Sequence, residues 1–242
     1  MRLLQLNAWG GRLEKQILDL INKEQPDILC LQEAVSLPGG SNGGLFLTVE
    51  EMKSNTGMNL SYAPVFSFKY MKRNAAFGNA ILSKQKYLTQ QTLFTNLEHK
   101  DDFDFATDDY NIRNLLHVSI NYEGEQLHVL THHGHHVPHH KQGDADSLRQ
   151  CRQIAEYIKG LKGKIILTGD FNLEPDSASI EQLNEILTNL SLKYNLSTTR
   201  TQLTHKTEVC DYIFVSNDID IKSFRAPDDI VSDHKALVLD FA

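Results

Sequence analysis

The 242 residues carry a formal net charge of −7, with 40% hydrophobic and 23% charged residues, the balance of an ordinary water-soluble globular chain. That charge weighs against a surface built for non-specific nucleic-acid binding, which needs extended basic patches; the longest basic cluster here is "KYMKR" at 69–73. It leaves open a small phosphorylated substrate, or a nucleic acid engaged locally.

No apolar run approaches the roughly 18 residues of a membrane span, and a strand-like segment directly after Met1 leaves no room for a secretion signal. Cys30, Cys151 and Cys210 are an odd number without CxxC spacing. They read as reduced thiols, Cys30 inside the apolar run "DILCL". A cytoplasmic monomer without membrane partners is expected.

In chain order, "RLLQLN" predicts a strand. The spacing of Leu13, Ile17, Leu20 and Ile21 predicts a helix over 12–24, and "PDILCLQE" a buried strand opened by Pro26. A glycine loop follows at 36–44, then a short helix over 47–56. Strands are expected at 61–66, 76–83, 111–121 and 125–132, with only sparse helical pattern between them. A helix over 145–160, the strand "GKIILTG", a helix over 177–190 and strands at 209–215, 218–225 and 234–241 complete the chain. With no repeat and no composition break, the pattern predicts one α/β domain over residues 1–242, two packed sheets with helices outside.

Polar residues sit where these strands begin or stop: Asn7, Glu33, the histidines after "LHVLT", Asp170 and Asn172, Asp211, and Asp233 with His234. One such residue is usually a cap or a turn former. Repeated at so many strand ends, they point to a site where a rigid scaffold passes into loops.

The ordered set "LN", "LQE", a histidine after a strand, "GDFN", "DYIFVS" and "SDH" resembles the endonuclease/exonuclease/phosphatase superfamily, over residues 7 to 234. The resemblance implies a four-layer sandwich, two mixed β-sheets flanked by helices, and divalent-metal hydrolysis of a phosphoester. That chemistry needs a hard cation on a phosphate oxygen, a base or positioner for water, and a donor for the leaving group. Carboxylate and amide oxygens suit Mg²⁺, with Mn²⁺ as a substitute.

By the resemblance, Glu33 binds the metal, and Asn7 and Asp233 complete its environment, partly through water. Where some relatives carry a carboxylate two residues after the asparagine, this chain has Trp9, so one metal is expected. Asp170 and Asn172 match the pair that orients or deprotonates the attacking water. His234 matches the histidine held against the phosphate, and Asp211 the carboxylate that fixes its tautomer. Arg113 resembles a strand arginine that reaches the phosphate; an exposed cross-strand pair is the alternative.

The family places one histidine at the strand end within "THHGHHVPHH" (131–140). Alternation puts Thr131 and His133 on one face and His132 on the other, so His133 is the candidate and His132 the runner-up. His135, His136, His139 and His140 read as solvated loop imidazoles. A zinc site is the alternative, but no thiolate or well-placed carboxylate completes it.

The substrate is less legible. "VCDYI" lacks the element of the inositol 5-phosphatases, "THKTEVCDY" lacks the aromatic wedge of apurinic-site enzymes, and no exposed aromatic hairpin of the sphingomyelinase kind is visible. A phosphodiesterase acting on nucleic acid or a nucleotide is expected, ahead of a phosphomonoesterase acting on a small metabolite. A non-catalytic binding module would lack the catalytic set, and the set is present.

Overall fold

In the computed structural model, which describes residues 1–39 and 43–242, the chain opens with a β–α–β unit. Strands β1 (Arg2–Asn7) and β2 (Ile28–Ser36) run parallel, joined by α1 (Glu14–Glu24). Positions 40–42 of the anticipated glycine loop lie outside the described residues. Helix α1 buries Ile17, Leu20 and Ile21 and ends where Gln25 takes a left-handed φ of 50°, its N–H bonded to the Ile21 carbonyl; Pro26 follows and cannot continue the helix. Helix α2 (Val49–Thr56) starts on a Thr48–Glu51 capping box.

The chain continues through β3 (Asn59–Tyr70), β4 (Arg73–Ser83), β5 (Tyr87–Asn96), β6 (Arg113–Tyr122) and β7 (Glu125–His133). Then follow α3 (Ala145–Lys159), β8 (Lys164–Asp170), α4 (Ala178–Asn184), β9 (Thr188–Asn189), α5 (Leu190–Lys193), β10 (Asp211–Val215), β11 (Ile221–Arg225) and β12 (Leu237–Phe241). The strands form two six-stranded mixed sheets, ordered β11-β12-β1-β2-β4-β3 and β5-β6-β7-β8-β10-β9. The parallel pairs are β1/β2 in one sheet and β7/β8 in the other.

The central strands are buried on both faces, which is why they read as nearly continuous apolar runs. Leu3, Cys30, Ile120, Val129, Ile166 and Leu239 share the core between the sheets. Their neighbours Leu4, Leu29 and Leu31 pack outward under α1 and α2, while Leu130 and Leu167 pack under α3 and α4. This is the expected α/β sandwich. All three cysteines are free and buried. Among the described residues no helix is long and apolar enough to cross a membrane.

Some elements depart from the sequence pattern. Strand β5, "YLTQQTLFTN", lies at a sheet edge with mostly exposed polar residues, so it lacks the apolar signal of its neighbours. The helix expected over 177–190 is split: α4 ends at Asn184, and Asn189 caps the short α5 through its side chain. His234 stands before β12 in an isolated antiparallel bridge with Arg200, rather than inside the strand.

Candidate active site

Strand register gathers the polar residues. On β7/β8, His133 lies opposite Asp170, and on β8/β10 Asp170 lies opposite Asp211, so three adjacent strands present these residues side by side. In the other sheet Asn7 lies opposite Gln32, and Glu33 follows at a break in register between Leu31 and Ala34. Glu33 has a φ of 52° there, the left-handed conformation that a bulge imposes and that a non-glycine residue adopts at a cost. Trp9 (φ 50°) and Asn172 (φ 57°) share that conformation and line the same cavity.

Two glycines let the strand ends meet. A Cβ on Gly134 would lie 2.2 Å from the Phe171 carbonyl oxygen, and one on Gly169 would lie 1.9 Å from that of His132. Buried amides tie the sheets together beneath: Gln5 Nε2 donates to Gln32 Oε1 (2.8 Å), and Gln32 Nε2 donates to Thr131 Oγ1 (2.7 Å). Asn79 Nδ2 donates to Asn114 Oδ1 (2.9 Å), linking β4 to β6.

Donor and acceptor capacities fix most orientations. Asn7 Nδ2 faces two carboxylates, Glu33 Oε1 at 3.2 Å and Asp170 Oδ2 at 3.0 Å, while its Oδ1 accepts the Trp9 N–H at 3.1 Å. The Lys141 ammonium donates to Asn172 Oδ1 at 2.7 Å, so the Asn172 amide group turns its N–H toward His133 Nε2, 3.2 Å away. Burial holds the His133 pKa well below its ordinary value. The ring is therefore neutral at pH 7 and accepts at Nε2.

His234 behaves oppositely. Burial works against its charge, but Asp211 and Asp170 outweigh it and raise its pKa to about 9. Its Nδ1 lies 2.9 Å from Asp211 Oδ2, and its Nε2 lies 3.5 Å from Asp170 Oδ2. At Asp170 burial opposes ionisation, yet the charges of His234, Arg200 and Lys141 hold the carboxyl well below the usual carboxylate range. Its Oδ1 accepts the Asn172 backbone N–H at 2.9 Å. Burial raises Glu33, against partial relief from His234 and Asn7.

These side chains surround a cavity of about 490 Å³, within the range of small-molecule sites. Glu33, Arg113, His133, Asp170, Asn172, Asp233 and His234 line it. Asn7 and Asp211 stand behind, bonded to Asp170 and His234. His132 points to the other face, 1% exposed, with Nδ1 against the Asn114 carbonyl. Arg113 is buried rather than exposed in a cross-strand pair. Its Nε has no hydrogen-bond partner, and its Nη atoms make only long contacts of 3.3 Å to Ile112 and Asn111 oxygens.

The cavity also holds residues that sequence patterning missed. Arg200 is 4% exposed and packs its guanidinium against His234; it lies in "TTRTQ", between elements, where nothing distinguishes it from a surface arginine. Lys206, Phe66, Phe77 and Tyr110 also line the cavity. Phe66 stacks on Phe77 and on Phe103, with ring centroids 5.2 and 4.0 Å apart. The solvated reading of the histidine loop fails for His135, whose mostly buried ring lies 3.3 Å from the Asp144 carboxylate, and for His136, which is half-buried, lines the cavity and has its pKa lowered by burial to about 4. His139 and His140 are exposed.

A divalent cation fits the donors present. Glu33, Asp170 and Asp233 supply hard oxygens around one space, and Asp170, Asp211 and His234 bring ligand-type atoms within 4.8 Å of one another. Among the described residues the half-buried Glu33 carboxylate accepts one long side-chain N–H bond, from Asn7, leaving it the acceptor capacity that a cation would use.

A sequence profile of the Endonuclease/Exonuclease/phosphatase family matches residues 4–234. No curated protein sequence matches the chain significantly. Among solved structures, an endonuclease/exonuclease/phosphatase family protein from Leptotrichia buccalis superposes with a TM-score of 0.72 at 18% identity, covering 100% of this chain and 99% of the other. The human Nocturnin catalytic domain, solved with bound sulfate, gives 0.71 at 20% identity, covering 100% and 93%. A mannosyl-6-phosphatase of Bacteroides thetaiotaomicron gives 0.70 at 16% identity, covering 100% and 99%. At these identities the likeness speaks to the fold.

Proposed function

We propose, from the premise that the chain belongs to the endonuclease/exonuclease/phosphatase family of phosphoester-hydrolysing enzymes, that its substrate is a phosphodiester of the nucleotide or nucleic-acid type, hydrolysed with Mg²⁺ or Mn²⁺. One observation carries this proposal: the mixed lining of the cavity. It combines the buried guanidinium groups of Arg113 and Arg200 and the carboxylates of Glu33, Asp170 and Asp233 with the aromatic rings of Phe66, Phe77 and Tyr110. Buried guanidinium groups without a carboxylate at hydrogen-bonding distance call for an anion. An aromatic lining suits a planar ring attached to that anion.

Glu33, with Asp233 and the Asn7 side chain nearby, would hold the cation. When bound, it neutralises charge on a phosphate oxygen. Asp170 orients the attacking water; a carboxylate held so far below neutral pH is a weak base, so positioning is its main contribution. Its own orientation is fixed by the N–H groups of Asn172 and Asn7. Protonated His234, anchored on Asp211, presents Nε2–H to the phosphate as charge grows in the transition state. Lys141 holds Asn172, and Asn172 holds His133 in its neutral tautomer. Arg113 and Arg200 bind the non-bridging oxygens.

Turnover with Mg²⁺ of bis(p-nitrophenyl) phosphate, the p-nitrophenyl ester of thymidine 5′-monophosphate, and p-nitrophenyl phosphate tests the proposal. The diesters should be preferred, the nucleoside-bearing one most. A tenfold preference for p-nitrophenyl phosphate would assign a monoesterase instead.

A further inference from the structure

Beside the reaction cavity lies a second one of about 310 Å³, and His136 and Lys206 line both. His139, His140, His205, Lys141 and Glu208 complete much of its wall. A chain with a net charge of −7 thus gathers two lysines and four imidazoles around one small hollow against a single carboxylate. Such a lining concentrates positive potential in a cleft.

Lys141 is the informative member. It is 6% exposed, and its ammonium has three N–H donors, of which Asn172 Oδ1 takes one. Among the described residues no carboxylate comes within 4.0 Å of Lys141 or Lys206. Burial lowers the Lys141 pKa and Asp170 partly restores it, so the cation is kept at a cost without a direct counter-ion. A buried ammonium with donors to spare is a place for an anion.

A metal fits this cavity poorly. Among the described residues, the groups whose ligand atoms lie within 4.8 Å of one another are His135 with Asp144 and Asp146, and Asp170 with Asp211 and His234. None of the four imidazoles of the second cavity belongs to either group.

We propose that the second cavity binds a further phosphate group of the same substrate, with Lys141 and Lys206 as its cations and the loop imidazoles as additional donors. This rests on the phosphodiesterase assignment above and narrows it: the preferred substrate carries a phosphate next to the scissile one. The histidine-rich loop then sets specificity, and its shared wall with the reaction cavity lets one molecule reach both.

The experiment compares the wild type with His140→Glu/His205→Glu, two positions that line the second cavity and not the first. Calorimetry measures binding of thymidine 5′-monophosphate, thymidine 5′-diphosphate and thymidine 3′,5′-bisphosphate. The wild type should bind at least one of the doubly phosphorylated nucleotides tenfold or more tightly than the monophosphate. The variant should lose that preference and keep its monophosphate affinity within about twofold. Equal affinity for all three nucleotides, no binding of any, or an unchanged preference in the variant overturns the subsite. Turnover of bis(p-nitrophenyl) phosphate, which has one phosphate, is read on both proteins, so failure of the hydrolase assignment shows there and not in the nucleotide comparison. If the glutamate pair does not fold by circular dichroism, His140→Gln/His205→Gln is measured instead, where loss of the two imidazoles should reduce the preference at least threefold; an unchanged preference overturns the proposal equally.

Discussion

Replacing Arg113 by Met should make the protein more stable and a worse enzyme. The guanidinium is 6% exposed, and burial lowers its pKa from the ordinary arginine value to about 10. It stays charged at pH 7, so the fold carries the full penalty of that lowering. At about 1.4 kcal/mol per tenfold, the penalty is roughly 3 kcal/mol. Methionine fills similar space without a charge, and imperfect packing returns about 1 kcal/mol. A net gain of roughly 1–3 kcal/mol is expected, about 2–12 °C in melting temperature for a chain of this length. Activity should move the other way: losing a charged donor to the phosphate costs about 10²–10³ in kcat/KM. Thermal denaturation in chelator and turnover of the best diester measure the two effects. A destabilised variant with near-normal kcat/KM would make Arg113 a structural residue and refute the reasoning.

Glu33→Gln should weaken Mg²⁺ binding by at least about tenfold, because the amide removes the carboxylate charge that a hard cation requires; equal affinities by calorimetry would remove Glu33 from the metal site. Stability should also depend on pH in two windows. His117 and His132 have folded pKa values lowered by burial to about 4, so between pH 6.5 and 4 the unfolded chain binds more protons and stability falls, by roughly 1–3 kcal/mol from His117 alone. His117 sits in a buried chain, Nε2 on His128 Nδ1 (2.9 Å) and Nδ1 on Tyr157 Oη (2.8 Å), with His128 Nε2 on the Lys162 carbonyl (3.1 Å). His234, raised to about 9, contributes stability fully present below pH 6.5 and lost as pH rises through 9. Urea denaturation from pH 4 to 9 checks both limbs, and flat stability over that range would contradict them.

The strand ends were legible because strands buried on both faces leave a strong apolar signature, and a polar residue stands out where it stops. Asn7, Glu33 and Asp170 are visible in that way. Alternation along "LHVLTHH" also separates His133, in the cavity, from His132, in the opposite core. Arg200, Lys141 and Lys206 lie in irregular segments, where a buried cation and an exposed one have the same local sequence. The aromatic lining was hidden for another reason. Phe66 and Phe77 read as ordinary strand residues, and their approach to Phe103 and Tyr110 depends on a segment between β5 and β6 with no periodicity.

The most direct test of the site is kcat for Asp170→Asn, His234→Ala and the double variant, on the best diester with Mg²⁺. Circular dichroism confirms that each variant is folded. Acting together on one transition state, each residue should lower kcat by about 10²–10⁴, and much more than it raises KM. The double variant should be little worse than the poorer single one. A folded Asp170→Asn protein that keeps more than about a tenth of wild-type kcat, a loss of under about 1.4 kcal/mol, would contradict the assignment of this cavity as the place where phosphoester hydrolysis occurs.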